Sequence, residues 1–421
     1  MADRAQGGNL SVDDPLPIAG RAQTRYFRRM DDTLHPALLP HGLRDILPPD
    51  ARIEADTVER LMAILGHHGY DRVKPPLVES ESSLLDGPGV AMTHETFRLM
   101  DPISHRMIAV RADMTLQIAR IATTRLVKSP RPLRLSYAGQ VLRVRGSQLR
   151  PERQVGQVGA ELIGSAAPEA DAEVVAIAAE ALTAVGVPGL SVDLTLPVLV
   201  PVILQALGVE GRMAEQLRVA LDHKDAAAIA AIGGPSAAIL GRLMAAAGPA
   251  DRALATIQAI DLPEQAAAEV AALAEIVRLI RVRAPDLLLT IDPVENRGFE
   301  YHTGVSFTLF ARNIRGELGR GGRYVAGGHH AENGYVKRAA PEPQPSTGFT
   351  LYTDTVLRAL VFGPQPPRVF LPHGVAPAVG AELRTAGWIT VAGLEPVADA
   401  AAEARRIACS HVLIEGKPAE V

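Results

Sequence analysis

Apolar residues early in the chain recur at near-helical spacing and then give way to short strand-like runs. The helical spacing is carried by Ile53, Val58, Leu61, Met62 and Leu65. It predicts a helix that ends at the glycines that follow. Apolar runs punctuated by Gly and Pro then predict strands at 70–73, 107–111, 133–144 and 155–163. This order indicates an antiparallel sheet with flanking helices.

The middle of the chain is rich in Ala and Leu and predicts helices rather than strands. Residues 201–283 form this stretch, with Gly and Pro at 233–235 and 248–249 marking the breaks between helices. Strand signals return at 287–291, 300–309 and 348–352. We therefore predict a core at 30–200 and 284–362 that is split by an all-helical insertion at 201–283.

The two ends of the chain differ from this core. Residues 1–29 are rich in Gly, Asp, Arg and Gln without an apolar period, and they predict a disordered arm. A Pro-rich bend at 363–367 precedes strand and helix signals at 368–421, a stretch that is short for an independent domain. The predicted fold class is α+β: an antiparallel sheet flanked by helices, with an all-helical insertion and a short C-terminal α/β unit.

Composition narrows the functional classes. The chain has 421 residues and a formal net charge of -4, so it lacks the basic surplus typical of proteins that hold nucleic acid through its phosphates. The longest apolar stretch, near 194–209, is broken by prolines, which argues against a membrane span, and no secretory leader is visible. Cys409 is the only cysteine, which predicts no intrachain disulfide and favours a reducing cytoplasm.

Three segments place charged residues inside apolar, strand-like runs, where an unpaired charge is costly. They cover 110–115, 139–161 and 297–304. Each segment alone also fits an edge strand with solvent-facing charges. Together they offer carboxylates, arginines, an amide and an aromatic hydroxyl, which suit a zwitterionic ligand with a polar ring. Asp or Glu pairs with an ammonium, Arg pairs with a carboxylate, and an imidazole needs both a donor and an acceptor.

These segments, in this order and around a helical insertion, resemble the catalytic core of histidyl-tRNA synthetase, a class II aminoacyl-tRNA synthetase. Gln157-Val-Gly-Ala-Glu161 is similar to the Gln-x-Gly-x-Glu strand of that family, and Arg143 takes the position of the second-motif arginine. Arg297-Gly-Phe-Glu-Tyr-His-Thr-Gly304 resembles the histidine signature, and Gly319-Arg-Gly-Gly-Arg-Tyr324 resembles the glycine-rich strand before the third motif. The resemblance runs from about 39 to 360 and implies the class II synthetase-like fold.

The resemblance also implies a histidine-binding site, made by Asp113, Thr115, Arg143, Gln157, Glu161, Arg297, Tyr301 and His302. Asp113, Thr115 and Gln157 would hold the ammonium group, and Glu161 and Tyr301 would read the imidazole. The two arginines would lie near the carboxylate, or near the phosphate if a nucleotide were present. The aspartate stands where the family usually has a glutamate, and the histidine stands where it usually has a second tyrosine.

The half of the site that would hold ATP departs from the synthetase pattern. Arg145 stands where an acidic residue serves the adenine, and Pro151 stands where a loop arginine would contact the phosphates. Thr355 replaces the defining arginine of the third motif, and Tyr352 replaces a glycine in the same segment. The loss removes a cation that would stack on adenine, and the tyrosine is expected to crowd that space. The tail after Pro367 is expected to stop short of a complete anticodon-binding domain.

A histidine site without an ATP site resembles the regulatory subunits of ATP phosphoribosyltransferase, which opens histidine biosynthesis. The resemblance implies a non-catalytic chain, without cofactor or metal, that activates a short-form catalytic subunit and carries feedback inhibition by free histidine. The helix from Ala51 and the strand ending at Pro75-Pro76 resemble the class II dimer motif, which implies self-association. Binding of tRNA is not expected. Two alternatives stay open: a divergent histidyl-tRNA synthetase, and a stand-alone histidine-binding paralogue.

Overall fold

A computed structural model of the chain describes residues 39–85, 89, 92–146, 150–295, 302–328, 342–360 and 366–421. The chain divides into two compact units, Met1–Leu360 and Val361–Val421. The first unit therefore ends close to the predicted end of the core at 362. The predicted disordered arm at 1–29 lies outside the described residues.

The helices among these residues are α1 Asp50–His67, α2 Glu81–Leu85, α3 Thr115–Thr124, α4 Pro168–Val185, α5 Leu199–Ala206, α6 Gly211–Asp222, α7 Ala226–Ile232, α8 Gly234–Ala245, α9 Ala250–Gln258, α10 Glu264–Arg283, α11 Thr353–Ala359, α12 Pro377–Thr385 and α13 Ala400–Arg406. None of these helices combines the length and the apolar character that a membrane span requires.

The strands are β1 Asp71–Arg72, β2 Val78–Ser80, β3 Arg98–Met100, β4 Met107–Val110, β5 Leu133–Leu142, β6 Gln154–Ile163, β7 Leu190–Thr195, β8 Gly248–Pro249, β9 Leu288–Asp292, β10 Ser306–Ala311, β11 Gly319–Ala326, β12 Gln344–Tyr352, β13 Arg368–Leu371, β14 Ile389–Ala392, β15 His411–Ile414 and β16 Lys417–Glu420.

The first unit is built on a nine-stranded sheet with the order β1-β5-β6-β12-β11-β10-β7-β9-β8. Its centre, from β5 to β7, is antiparallel, and parallel pairs occur between β1 and β5 and between β7 and β9. A smaller antiparallel sheet has the order β2-β4-β3. The predicted α+β class, an antiparallel sheet with flanking helices, is therefore confirmed.

Helices cover both faces of the sheet centre. On one face Ile118 of α3 and Met114, just before this helix, belong to a buried cluster that also holds Tyr137 and Tyr324 of the sheet. On the other face lie α1 and α4, which pack against each other and against β5, β6 and β12. Side chains of a strand alternate between its faces, so each strand of the centre contributes to both layers.

The burial pattern of α1 refines the predicted helix. Its buried residues include Ile53, Thr57, Leu61 and Leu65, which follow each other at four-residue intervals and form one stripe. Val58, which the apolar spacing had suggested for this stripe, is only half-buried. A threonine takes the core position because a helix of this length keeps its stripe at a spacing of three to four residues, whatever the polarity of one member.

The segment predicted as an all-helical insertion holds α6 to α10 and one short strand. That strand, β8, pairs antiparallel with β9, with Gly248 opposite Ile291 and Pro249 opposite Thr290. The proline stands on the last strand of the sheet, where a missing backbone donor costs no ladder bond. The helical segment is therefore attached to the core by its own edge strand.

The second unit is a four-stranded sheet in the order β14-β13-β15-β16, with helices on both faces. Alternate residues of β13 separate the faces: Val369 and Leu371 belong to a cluster with Val379 and Leu383 of α12. Phe370 belongs to another cluster, with side chains from α13. The predicted short C-terminal α/β unit is thus a sheet with a small core on each side.

Candidate functional site

A cleft lies on the face of the large sheet that α3 partly covers. The strand register sets side chains in rows across β6, β12 and β11: Glu161 lies opposite Gly348, and Gly348 lies opposite Gly322. In the next row Thr350 lies opposite Arg320. The glycines leave the space above the sheet open.

We call this space the sheet cleft. Its cavity volume is about 20 Å³, and all of the space between its side chains, including the part open to solvent, amounts to about 310 Å³. Its lining residues are Asp113, Thr115, Glu161, His302, Arg320, Gly321, Gly322, Tyr324, Gly348, Phe349, Thr350 and Tyr352. A larger groove lies beside α4, but it is lined by none of the residues predicted for the site.

Asp113 lines one corner of the sheet cleft and is held there by Gln157, which is not itself a lining residue. The Gln157 Nε2 donates to Asp113 Oδ2 at 2.8 Å, and its Oε1 accepts from the Met114 N–H at 3.0 Å. The other Asp113 oxygen accepts from the Thr115 N–H at 2.8 Å, in the first turn of α3. The carboxylate is thereby fixed beside a helix N-terminus, which favours negative charge. The structure thus brings Asp113, Thr115 and Gln157 together.

Glu161 lies at the floor of the sheet cleft and is 1 % exposed. Burial raises the pKa of its carboxyl to about 8, although hydroxyls that donate to it act in the opposite direction. Tyr137 donates to Oε1 at 3.2 Å, and Tyr324 donates to Oε2 at 3.0 Å. A Cβ at Gly348 would collide with the carboxyl, and one at Gly322 would come within 2.6 Å of the His302 ring. The glycine row therefore makes room for the Glu161 carboxyl and the His302 ring above the sheet.

A chain of hydroxyls joins the two ends of the sheet cleft. The Tyr137 hydroxyl lies 2.7 Å from Thr350 Oγ1 and 3.3 Å from Thr115 Oγ1, besides its bond to Glu161. Its ring crosses β6 above Gly159, where any side chain would collide with it. The Asp113 corner and the Glu161 floor are thus held in one hydrogen-bonded network. Such networks fix the relative positions of polar groups more firmly than isolated bonds do.

The remaining predicted residues differ in their placement. His302 is buried and lines the sheet cleft. Arg143 does not line it: the Arg143 Nε lies 3.6 Å from Glu95 Oε2 and 3.4 Å from the Ala112 carbonyl. Arg297 and Tyr301 lie outside the described residues.

The region of the third motif is filled by the protein's own side chains. Tyr352 is 2 % exposed, and the guanidinium carbon of Arg150 lies 3.9 Å from the centre of its ring. Arg150 also lies 3.4 Å from an Asp354 carboxylate oxygen. Thr355, which stands in place of the motif arginine, is fully buried and accepts from Arg358 at 3.0 Å. The stack of a cation on an aromatic ring in this region is therefore formed within the chain, between Arg150 and Tyr352.

Several residues of the sheet cleft were not among the predicted site residues. Thr350 and Arg320 line it from strands, Tyr137 contacts Glu161 and Thr350, and Arg320 Nε donates to the Tyr352 hydroxyl at 2.9 Å. The available signal was alternation: Tyr137 and Glu161 both stand at odd-numbered positions of predicted strands. Alternation tells which residues share a strand face, but it does not tell which strands are neighbours.

Comparison with known proteins identifies relatives over most of the chain. A sequence model of the histidyl-tRNA synthetase family matches residues 42–356. A protein of Rhodospirillum centenum named ATP phosphoribosyltransferase regulatory subunit is 58% identical, over 93% of this chain and 98% of its own length. One of the same name from Rhodospirillum rubrum is 49% identical, over 91% of this chain and 97% of its own length.

Solved structures agree on the fold. An ATP phosphoribosyltransferase regulatory subunit/histidyl-tRNA synthetase from Bacillus halodurans superposes with a TM-score of 0.73 at 23% identity, covering 87% of this chain and 95% of its own. Histidyl-tRNA synthetase from a Nostoc species gives a TM-score of 0.72 at 18% identity, covering 91% and 96%. The core has the class II synthetase-like fold. Within the group that the histidyl-tRNA synthetase model describes, this chain belongs to the family of ATP phosphoribosyltransferase regulatory subunits.

Proposed function

We propose that this chain is a non-catalytic regulatory subunit of ATP phosphoribosyltransferase and that it binds free histidine in the sheet cleft. One observation carries the choice of ligand: a buried Glu161 carboxyl, with a tyrosine hydroxyl on each oxygen, faces a row of glycines in the same cleft as Asp113. A carboxyl that is protonated near neutral pH donates to one imidazole nitrogen, and an ionised one accepts from it. Glu161 therefore suits an imidazole in either form.

The ammonium group of the ligand is assigned to the Asp113 corner. Asp113 is held by Gln157 and by the Thr115 N–H, and it still lines the sheet cleft. Charge-assisted bonds from an ammonium to a fixed carboxylate are stronger than bonds between neutral groups. The hydrogen bonds of Tyr137 fix the distance between this corner and Glu161. A fixed distance favours ligands with one separation between ammonium group and ring.

Two features argue against synthetase chemistry in this chain. Activation of an amino acid by ATP needs cations placed where charge develops on the phosphates and a clamp for the adenine. Here the Arg150 guanidinium stacks on Tyr352 and lies near Asp354, while Thr355 takes the place of the motif arginine. A nucleotide ring would have to displace that stack.

The partner is assigned through the relatives, whose name is that of a regulatory subunit. We assign to this chain the activation of a short-form catalytic subunit and the transmission of feedback inhibition when histidine binds. A coupling free energy of about 1–3 kcal/mol between histidine binding and partner binding is enough to change either affinity by 5- to 150-fold. Self-association through α1 and the strand after it belongs to the same proposal.

The test is a reconstituted assay of phosphoribosyl transfer to ATP by the short-form catalytic subunit, with and without this chain and with and without histidine. The chain is expected to raise turnover, and histidine is expected to lower it again. Gly348→Ala, whose Cβ would collide with Glu161, should abolish the response to histidine and leave activation in place. Gly241→Ala in α8 serves as the matched control, since the added methyl group would meet only Ile229 Cγ2, at 4.0 Å.

The alternatives make different predictions in the same preparation. A divergent synthetase would exchange pyrophosphate into ATP in the presence of histidine, and we expect no exchange. A stand-alone histidine-binding protein would bind histidine without raising turnover or co-purifying with the catalytic subunit. Failure of the wild type to activate the partner would refute the regulatory assignment. A normal histidine response in Gly348→Ala would mean that histidine binds outside the sheet cleft.

A further inference from the structure

We propose that Arg320 is the residue that binds the carboxylate of the free amino acid in the sheet cleft, an assignment that rests on the proposed function. The site then selects α-amino acids with an unmodified carboxylate over amines and esters of the same side chain. Of the two arginines that the synthetase resemblance suggests for this role, Arg143 does not line the sheet cleft and Arg297 lies outside the described residues.

The register places Arg320 between the two ends of the proposed ligand. Arg320 lies directly opposite Thr350, so both side chains stand on the cleft face of the sheet. Thr350 Oγ1 lies 3.5 Å from Thr115 Oγ1, which ties this row to the ammonium corner. The row of Glu161 is two residues along the strand, or about 7 Å away. A ligand whose ring reaches Glu161 and whose ammonium reaches Asp113 therefore passes beside Arg320.

Tyr352 orients the guanidinium. Its hydroxyl accepts from Arg320 Nε at 2.9 Å, and its ring is held by the Arg150 guanidinium, 3.9 Å from the ring centre. The hydroxyl belongs to a residue that is 2 % exposed, so it has little freedom to move. A guanidinium held at Nε keeps its planar fork in one direction, which favours paired bonds to a carboxylate.

The charges of the sheet cleft support the same assignment. Its lining holds the carboxyl groups of Asp113 and Glu161, and Arg320 is the arginine among its described lining residues. A zwitterion with a ring needs a cation beside its carboxylate, because a buried carboxylate without one is costly. Arg143 is held instead by Glu95 and the Ala112 carbonyl.

A cation in the sheet cleft suits a protein that binds an amino acid without reacting it. A synthetase must leave the carboxylate free to attack the α-phosphate of ATP, whereas a sensor binds an amino acid that keeps its carboxylate throughout. The hydroxyl that orients Arg320 belongs to Tyr352, the same residue whose ring carries the Arg150 stack. One residue thus closes the space for a nucleotide and positions a cation for the unreacted ligand.

The experiment is calorimetric titration of the full chain with L-histidine and with histamine, which lacks the carboxylate. Arg320→Gln should weaken the affinity for L-histidine by about 10- to 100-fold and leave the affinity for histamine unchanged. Arg320→Lys should restore part of the loss because it returns the charge without the fork. Arg315→Gln, at an exposed arginine before the same strand, should bind both ligands as the wild type does.

The two ligands separate the possible failures. Equal loss of histidine and histamine affinity in Arg320→Gln, or no loss of either, would overturn the assignment of Arg320 while the wild type still bound histidine. Histamine that binds the wild type as tightly as histidine would also overturn it. A wild-type chain that binds no histidine would refute the histidine site of the proposed function, and the assignment of Arg320 with it.

Discussion

Glu161 is neutral over a range of pH where most glutamates are charged. Burial raises the pKa of its carboxyl to about 8, and the nearby Asp113 charge acts in the same direction. The Tyr137 and Tyr324 hydroxyls oppose the shift, yet they do not replace the water that a charged carboxylate loses. Without bound histidine, the Glu161 carboxyl is therefore expected to be protonated at neutral pH.

This protonation predicts a pH dependence of stability. The carboxyl keeps its proton up to about pH 8 in the folded chain, against an ordinary value of 4.5 in the unfolded chain. The folded chain binds more protons between these values, so the free energy of unfolding falls as pH rises through them. Relative to Glu161→Gln, the wild type should lose on the order of 3 kcal/mol between pH 5 and pH 8.

Urea unfolding of both proteins at the two pH values measures this difference. The control is Glu264→Gln, at an exposed glutamate, whose free energy of unfolding should change between the two pH values as that of the wild type does. If the free energies of wild type and Glu161→Gln changed in parallel, Glu161 would have to ionise as an ordinary surface glutamate does, and its proposed neutral state would be wrong.

The sequence predicted the residues of the sheet cleft unevenly. Thr115 and Glu161 were found because polar residues stood inside apolar runs that matched a family motif. Arg143 matched a motif position as well, but its partner Glu95 lies far from any motif, so its true contacts had no sequence signal. Arg320 was read as part of a glycine-rich strand, because its role depends on its facing residue, Thr350, rather than on its neighbours in the chain.

At the scale of elements, one ion pair ties α4 to β11. The Arg323 side chain donates to Asp171 Oδ2 at 3.0 Å through Nε and to the Ser165 carbonyl at 2.9 Å. The side chains of the pair are 13% and 5% exposed. Arg323 and Arg320 stand on opposite faces of the same strand, so this contact holds the strand that carries the cleft residue.

Removing this pair is expected to destabilise the first unit strongly. Arg323→Met leaves a buried carboxylate without its partner and should lower the free energy of unfolding by about 3–5 kcal/mol. Chemical denaturation is the measurement. Arg278→Met is the matched control, since the Arg278–Glu275 pair is 61% and 41% exposed and should contribute little to stability. Equal effects of the two changes would contradict the role of burial.

The elements themselves were predicted well where a strand was long and apolar. The predicted strand at 133–144 became Leu133–Leu142, and the predicted strand at 155–163 became Gln154–Ile163. The strand predicted at 348–352 begins earlier, at Gln344, and includes Pro345 and Ser346. Those residues have little strand preference of their own, and the strand extends because β6 and β11 pair with it on both sides.

At the scale of the molecule, the chain is two units with separate cores. Every described residue of the sheet cleft lies in Met1–Leu360. A chain that ends at Leu360 is therefore expected to bind histidine with the affinity of the full chain, within about twofold, since it retains all of the contacts that the cleft offers. Calorimetry of the two chains compares them. A large loss in the shortened chain would mean that the second unit contributes to the ligand or to the folding of the first.

The arrangement of the strands could not be predicted from the pattern alone. β6 and β12 are neighbours, with Glu161 opposite Gly348, although a helical segment and five strands lie between them in the chain. Hydrophobic periodicity carries no information on such distant pairs. The resemblance to a known family implied the class II synthetase-like fold, whereas the strand order comes from the structure.

The Tyr352 contacts also oppose any change of this region into a nucleotide site. A change of Tyr352 to glycine would leave the Arg150 guanidinium without its ring and Arg320 Nε without its acceptor. A change of Thr355 to arginine would add a cation where Arg150 and Arg358 already lie beside Thr355. Each single change toward a nucleotide site thus costs stability before any gain. A nucleotide site is therefore difficult to build here by single substitutions.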